Sequence, residues 1–266
     1  MDKFEKEYYS FEGFWLSESF KRANAKRIQQ IYGLLPKDVN NILDIACGNG
    51  LFCNFVKQQN HDTRIIGLDR NESVLKYVQS EKLAADIKDL PFKNREFDLI
   101  TALEVLEHLT IPNYERILEE ICLVARKYII VSVPNNQALE DDMTQCPSCK
   151  SIFNPDLHLR SFTRQDISTL FKDHGFRILK IEETGAMYKY FGHDVFSKNF
   201  RLKNKLAWRS PICVVCGFKG DFYINSDVSP ACYSRNSAIT TLKNSIKNFW
   251  PKITQYYWLV ALYERK

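Results

Sequence analysis

The sequence predicts an α/β chain built on a doubly wound, mostly parallel sheet. Three observations predict it. Short, apolar, β-branched segments recur between Asn41 and Gly185; stretches of helical period separate them; and "LDIACGNG" at 43–50 reads as a strand, a glycine turn and the start of a helix. A chain of 266 residues accommodates one large domain of this kind, or one with an elaborate insertion.

Residues 1–40 read as an amphipathic helical cap that ends at Pro36. "NILDIAC", "RIIGLD", "FDLITALEV" and "KYIIVSV" are near-continuous apolar runs, as expected of strands buried on both faces. "FCNFVKQQ", "ESVLKYVQSE" and "YERILEEICLVAR" read as the helices between them. "SFTRQDISTLFKDHGFRILKIEE" adds a helix and a further strand; Thr163 is its N-cap, Asp166 closes a variant of the capping box, and Gly175 stands at C′. "YYWLVALYERK" reads as the last strand. The core domain is therefore expected over 41–187 and 255–266, with 188–254 as an insertion lacking sheet rhythm. Within it, "AITTLKNSIKNFW" places Ile239, Leu242, Ile246 and Phe249 on one helical face.

Composition narrows the function classes. No apolar run reaches the roughly 18 residues of a membrane helix, and "MDKFEKEYYS" is not an apolar signal segment, so a cytoplasmic protein is expected. The net charge is +5, short of a dedicated nucleic-acid binder. The charge is uneven: residues 185–257 carry eleven Lys/Arg against three Asp, interleaved with aromatic residues. That stretch fits an acidic small molecule or nucleotide-linked sugar, then an RNA backbone with stacked bases or an anionic membrane surface; for the 238–250 helix a solvated face comes first.

Eight cysteines in such a chain point to thiols and metal rather than disulfides. "CPSCK" and "CVVCG" bring Cys146, Cys149, Cys213 and Cys216 as two knuckles of one form. A redox C-x-x-C needs no twin, so the pair of pairs reads as a structural, closed zinc site of four thiolates, pinning the insertion beside the loop after the fifth predicted strand. Cys53 and Cys122 read as core residues and Cys47 as a loop residue.

The glycine turn lets a ligand approach the backbone at a helix N-terminus. Asp69 ends the next strand, where a carboxylate can hold ribose hydroxyls. Asp44, directly before the turn, disfavours a pyrophosphate and suits a ligand bearing an ammonium or sulfonium. "ILDIACGNG", "GLDRN", "AADIKDLPF" and "FDLITALEVLEHL" occur in that order and together resemble the successive motifs of class I S-adenosylmethionine-dependent methyltransferases. The resemblance covers about 41–185 and the final strand; Ala46 departs from it, standing where the family has its first loop glycine. It implies a Rossmann-like sheet of seven strands with an antiparallel last strand. It also implies that Asp44, Ala46, Cys47, Gly48 and Gly50 lie at the methionine part of the cofactor, Asp69 and Arg70 at the ribose, Asp86 and Ile87 at the adenine, and Leu103 and Glu104 near the sulfonium. "ALEVLEHL" lacks the Asn-Pro-Pro-Tyr of similar nitrogen methylators, which points to an oxygen of a small molecule or glycan; an RNA- or protein-modifying enzyme is the second class. His158 in "DLHLRSF" is the candidate general base, and ordering of the loop before Thr163 is its equal alternative.

Overall fold

The computed structural model describes residues 7, 9, 10, 15–137, 139, 143–190, 212–220 and 252–266, with backbone alone at 186–190 and 252–255. Its sheet has seven strands in the order β3-β2-β1-β4-β5-β9-β8. They are β1 (Asn41–Ile45), β2 (Arg64–Asp69), β3 (Glu81–Ala84), β4 (Phe97–Leu103), β5 (Ala125–Pro134), β8 (Phe176–Tyr190) and β9 (Lys252–Arg265). The strands from β1 to β5 run parallel, and β9 runs antiparallel to both β5 and β8, as the sequence predicts. Two short strands, β6 (Thr144–Gln145) and β7 (Ile152–Phe153), form a separate hairpin.

Helices cover both faces. On one, α1 (Glu18–Gly33) and α2 (Leu51–Gln59) pack Ile28, Ile31, Phe52 and Val56 against Ile42, Ile65, Leu99 and Ile130. On the other, α4 (Ile111–Val124) packs Ile117, Leu118 and Ile121 against Leu43, Ile45, Ile66 and Leu68. Adjacent residues of β1 and β2 thus serve opposite cores, which is why these strands read as unbroken apolar runs. Within the helical cap, α1 opens on Ser17, whose side chain accepts from the Phe20 N–H. The predicted cap at Thr163 also forms: α5 (Arg164–Thr169) opens on a reciprocal Thr163–Asp166 capping box. Gly175 follows it in the left-handed conformation.

One predicted helix is corrected. "ESVLKYVQSE" is helical only as α3 (Glu72–Leu75), and its last residue opens β3. This edge strand carries three exposed residues in four, so its sequence lacks an apolar signature; its pairing with β2 defines it. The predicted 238–250 helix and Cys232 lie outside the described residues. Among the described residues no helix is long and apolar enough to cross a membrane.

Candidate active site and four-thiol cluster

Parallel strands bring their carboxyl ends to one edge, and the turn after β1 sits where the chain direction switches between β2 and β4. Ala46, Gly48 and Gly50 all take positive φ, at 51°, 55° and 74°. Alanine tolerates this region at a cost of about 1 kcal/mol, so the departure at Ala46 leaves the turn intact. Gly48 has a second constraint: a Cβ there would lie 2.7 Å from the Trp15 ring. The Trp15 carbonyl also accepts from Asn49 Nδ2 at 2.8 Å, so the N-terminal segment is fastened over the turn.

Asp69 holds the turn from the neighbouring strand. Its Oδ2 accepts from the Gly48 N–H at 2.9 Å and its Oδ1 from the Asn71 N–H at 2.8 Å. Burial raises its carboxyl above the ordinary value despite these bonds. Asp44 is turned inward, 2% exposed, and accepts from Thr101 Oγ1 at 2.6 Å and from Cys53 Sγ at 3.3 Å. Burial pushes its carboxyl up to about 6 against those two donors. Cys47 is half-buried beside it, and Cys53 and Cys122 lie in the core. Farther along the edge, the Ala85 N–H donates to the Asp69 carbonyl at 3.2 Å, bringing Asp86 and half-buried Ile87 after β3 next to β2. Asp86 and Arg70 are exposed.

The loop after β4 divides its carboxylates. Leu103 packs against the α1–α2 side of the core. Glu104, at φ 59°, meets Arg27 Nη1 at 2.7 Å, Ser132 Oγ at 2.9 Å and Trp258 Nε1 at 2.7 Å. Arg27 also lies over the Trp258 ring, 4.8 Å from its centroid. That tryptophan depends on Gly185, where a Cβ would stand 2.3 Å from the ring. Glu107 is fully buried, and neither carboxylate oxygen has a hydrogen-bond partner among the described residues. Burial, reinforced by Glu104, pushes its carboxyl well above the usual range. His108 and His158 stand beside it, their ring centroids 4.8 Å apart. His158 Nδ1 is 2.5 Å from Gln137 Oε1, and His108 Nδ1 is 3.2 Å from the Leu157 carbonyl.

The two cysteine pairs meet. Cys146 Sγ is 3.7 Å from Cys216 Sγ, and Cys149 Sγ is 3.6 Å from Cys213 Sγ. A tetrahedron with metal–sulfur bonds of about 2.3 Å has edges near 3.8 Å, so the spacing fits zinc. The knuckles repeat each other. The Cys146 N–H donates to Ser151 and the Lys150 N–H returns to Cys146; the Cys213 N–H donates to Phe218 and the Gly217 N–H returns to Cys213. Lys150 and Gly217, the residues after each pair, both take positive φ. Hydrogen bonds from Ser151 bring the Cys149 thiol down to about 6, favouring the thiolate that a metal needs.

Several participants escape a reading of the sequence. Arg27 looks like one charge among many on a cap helix, and Trp258 like a strand residue; their meeting at Glu104 spans 77 and 154 positions of chain respectively, as the residue numbers give. Glu107 sits inside a segment read for Leu103 and Glu104, and only burial sets it apart.

A family model described as a methyltransferase domain matches residues 17–181. An uncharacterized protein of Methanocaldococcus jannaschii is 32% identical over 155 residues, covering 52% of this chain and 66% of that protein. The 27-O-demethylrifamycin SV methyltransferase of Amycolatopsis mediterranei is 27% identical over 128 residues, covering 43% and 46%. Matches to the curated relatives span from about a fifth to just under two thirds of those proteins' lengths. Among solved structures, magnesium protoporphyrin IX methyltransferase from Synechocystis with bound SAH has a TM-score of 0.54 at 14% identity, covering 98% of each chain; the likeness is one of fold.

Proposed function

We propose that this chain, which belongs to the methyltransferase-domain family, binds S-adenosylmethionine and transfers its methyl group to an oxygen of a small molecule or glycan precursor. One observation carries the reading. The left-handed turn 46–50 lies between buried Asp44 and half-buried Asp69 on adjacent strands and is tied to the second through the Gly48–Asp69 bond. Bound S-adenosylmethionine supplies a methyl group already activated by its sulfonium. The protein's tasks are then binding, orientation and handling of one proton.

The residues present fit that cofactor. Each Asp69 oxygen accepts one backbone N–H and keeps a lone pair for a ribose hydroxyl. Asp44, with its donors already inside the protein, favours a cationic ligand through its field rather than by contact. Asp86 and Ile87 are assigned to the adenine, Arg70 to the ribose, Cys47 to the methionine part and Leu103 to the sulfonium end. Glu104 is assigned to positioning: its bonds to Arg27 and Trp258 join the cap to the last strand beside the methyl end. His158, with Nδ1 against Gln137, is the candidate base.

The four thiols are assigned to a structural zinc, closed to substrate, which fixes residues 212–220 against the 144–153 hairpin. Zinc analysis of freshly purified protein should give one ion per chain, and Cys213→Ser should lose it; metal-free wild-type protein would count against the assignment. The surplus of cations over 185–257 favours an acidic acceptor. The functional test incubates the protein with methyl-labelled S-adenosylmethionine and a lysate separated into small-molecule, glycan, RNA and protein fractions. Label in either of the first two is expected; label confined to RNA or protein overturns the acceptor class, and no retained cofactor overturns the reading.

A further inference from the structure

We propose that Glu107, His108 and His158 bind a divalent transition-metal ion, and that this ion holds the acceptor oxygen for methylation. The acceptor role rests on the methyl-transfer reading, whereas ion binding stands independently of it. One ligand atom from each residue lies within 4.8 Å of the other two. The site is separate from the four thiols and has a different chemistry.

Two independent features point to a cation here. The first is Glu107, 0% exposed, with both carboxylate oxygens unpartnered among the described residues. Proteins rarely bury a carboxylate without donors or a counter-charge, because water solvates the ion far better than an apolar interior does. Glu104, three residues earlier, is already committed to Arg27, Ser132 and Trp258 and offers no relief. The second feature is the way the two rings are held. Gln137 Oε1 lies against Nδ1 of His158, and both the Leu157 carbonyl and the Tyr9 hydroxyl lie against Nδ1 of His108, at 3.2 and 3.1 Å. Donation from each Nδ1 to its oxygen partner would leave Nε2 to face an ion. Metal-binding histidines are commonly oriented by this arrangement. The Leu159 N–H donates to the Glu107 carbonyl at 2.7 Å, so the two ligand-bearing segments are tied together without an ion.

Two imidazoles and one carboxylate suit Mn2+, Fe2+, Co2+, Ni2+ or Zn2+ rather than Mg2+ or Ca2+. Three protein ligands leave coordination positions open, unlike four thiolates. An acceptor hydroxyl with a second oxygen next to it, as in a vicinal diol, can fill two of them. Coordination acidifies that hydroxyl, and its proton leaves to solvent. The oxygen then bonds to the methyl carbon as the carbon–sulfur bond breaks, with the electron pair staying on sulfur. With the ion bound, His158 is a ligand in place of the base role assigned above, and no proton passes to its ring.

The test uses the full chain with its zinc content measured. It is titrated with Mn2+, the least thiolate-seeking ion of the series, and unbound Mn2+ is read from its electron paramagnetic resonance signal. One Mn2+ per chain is expected beyond the zinc. Glu107→Gln keeps the side-chain shape and should abolish binding, with its unfolding midpoint checked to show that it folds. Gln137→Ala should weaken binding about 10–100-fold by releasing the His158 ring. A wild-type chain that leaves all Mn2+ in solution, or a folded Glu107→Gln that binds it as tightly as wild type, overturns the proposal. S-adenosylmethionine binding is measured calorimetrically on the same samples. Mn2+ uptake without cofactor uptake supports the ion site and overturns the methyl-transfer reading; the reverse overturns the ion site alone.

Discussion

The loop after β4 has two sides, and they treat the same functional group in opposite ways. On the Arg27–Trp258 side, Glu104 is met by a guanidinium, a hydroxyl and an indole N–H. On the His108–His158 side, Glu107 is more deeply buried, and neither carboxylate oxygen has a hydrogen-bond partner among the described residues. They stand three positions apart in the chain. The difference teaches that a carboxylate's work is set by the donors the fold delivers: Glu104 holds elements together, whereas Glu107 is left available to a ligand.

That contrast can be broken by mutation. The largest effect is expected at Glu104→Ala, which leaves Arg27 buried at 7% exposure without its counter-charge. Losing one partner of a buried pair costs about 3–5 kcal/mol, and urea denaturation would read it. A change within error would mean that the corner is not a structural pin.

Asp44 tests the intermediate case, with two donors and a carboxyl still raised to about 6. The unfolded chain releases this proton near pH 4, while the folded chain keeps it until about pH 6. Stability contributed at Asp44 therefore falls as pH rises through that window, by about 3 kcal/mol in all, and does not recover above it. Asp44→Asn should remove that slope, seen as matching denaturation midpoints at pH 4.5 and 7.5 after subtracting the behaviour of the remaining groups. Cofactor affinity should move the other way, weakening in wild type below pH 6 and weak at every pH in the variant. The smallest effect is expected at Glu107→Met, which replaces an unpartnered carboxylate with an apolar chain of similar size. Metal-free protein should gain about 1–3 kcal/mol; a loss instead would show that Glu107 has a donor after all.

The sequence makes the architecture readable where one residue's environment repeats along a strand. Ile42 beside Leu43, and Ile65 beside Ile66, announce a sheet covered on both faces, and Thr163 with Asp166 announces a helix start, because both signals are local. β3 is silent, since an exposed edge strand is specified by its neighbour's hydrogen bonds and not by burial. At the site, Asp44, the turn 46–50 and Asp69 belong to a contiguous strand–turn–helix pattern and are visible for that reason. Arg27 and Trp258 are not, because their roles arise from tertiary contact between opposite ends of the chain. The cysteine pairs are an intermediate case. Their spacing announces ligands, and the fold brings the two pairs together.

The long β8–β9 hairpin has a consequence for how this chain can change. Tyr190 pairs directly with Lys252, so the segment between them departs and returns at neighbouring points of one ladder. Lengthening or shortening that segment leaves every register of the seven-stranded sheet as it is, and loop entropy grows only slowly with length. The hairpin works as a socket: a different segment can be grafted between its tips while the Asp44–Asp69 edge keeps its construction.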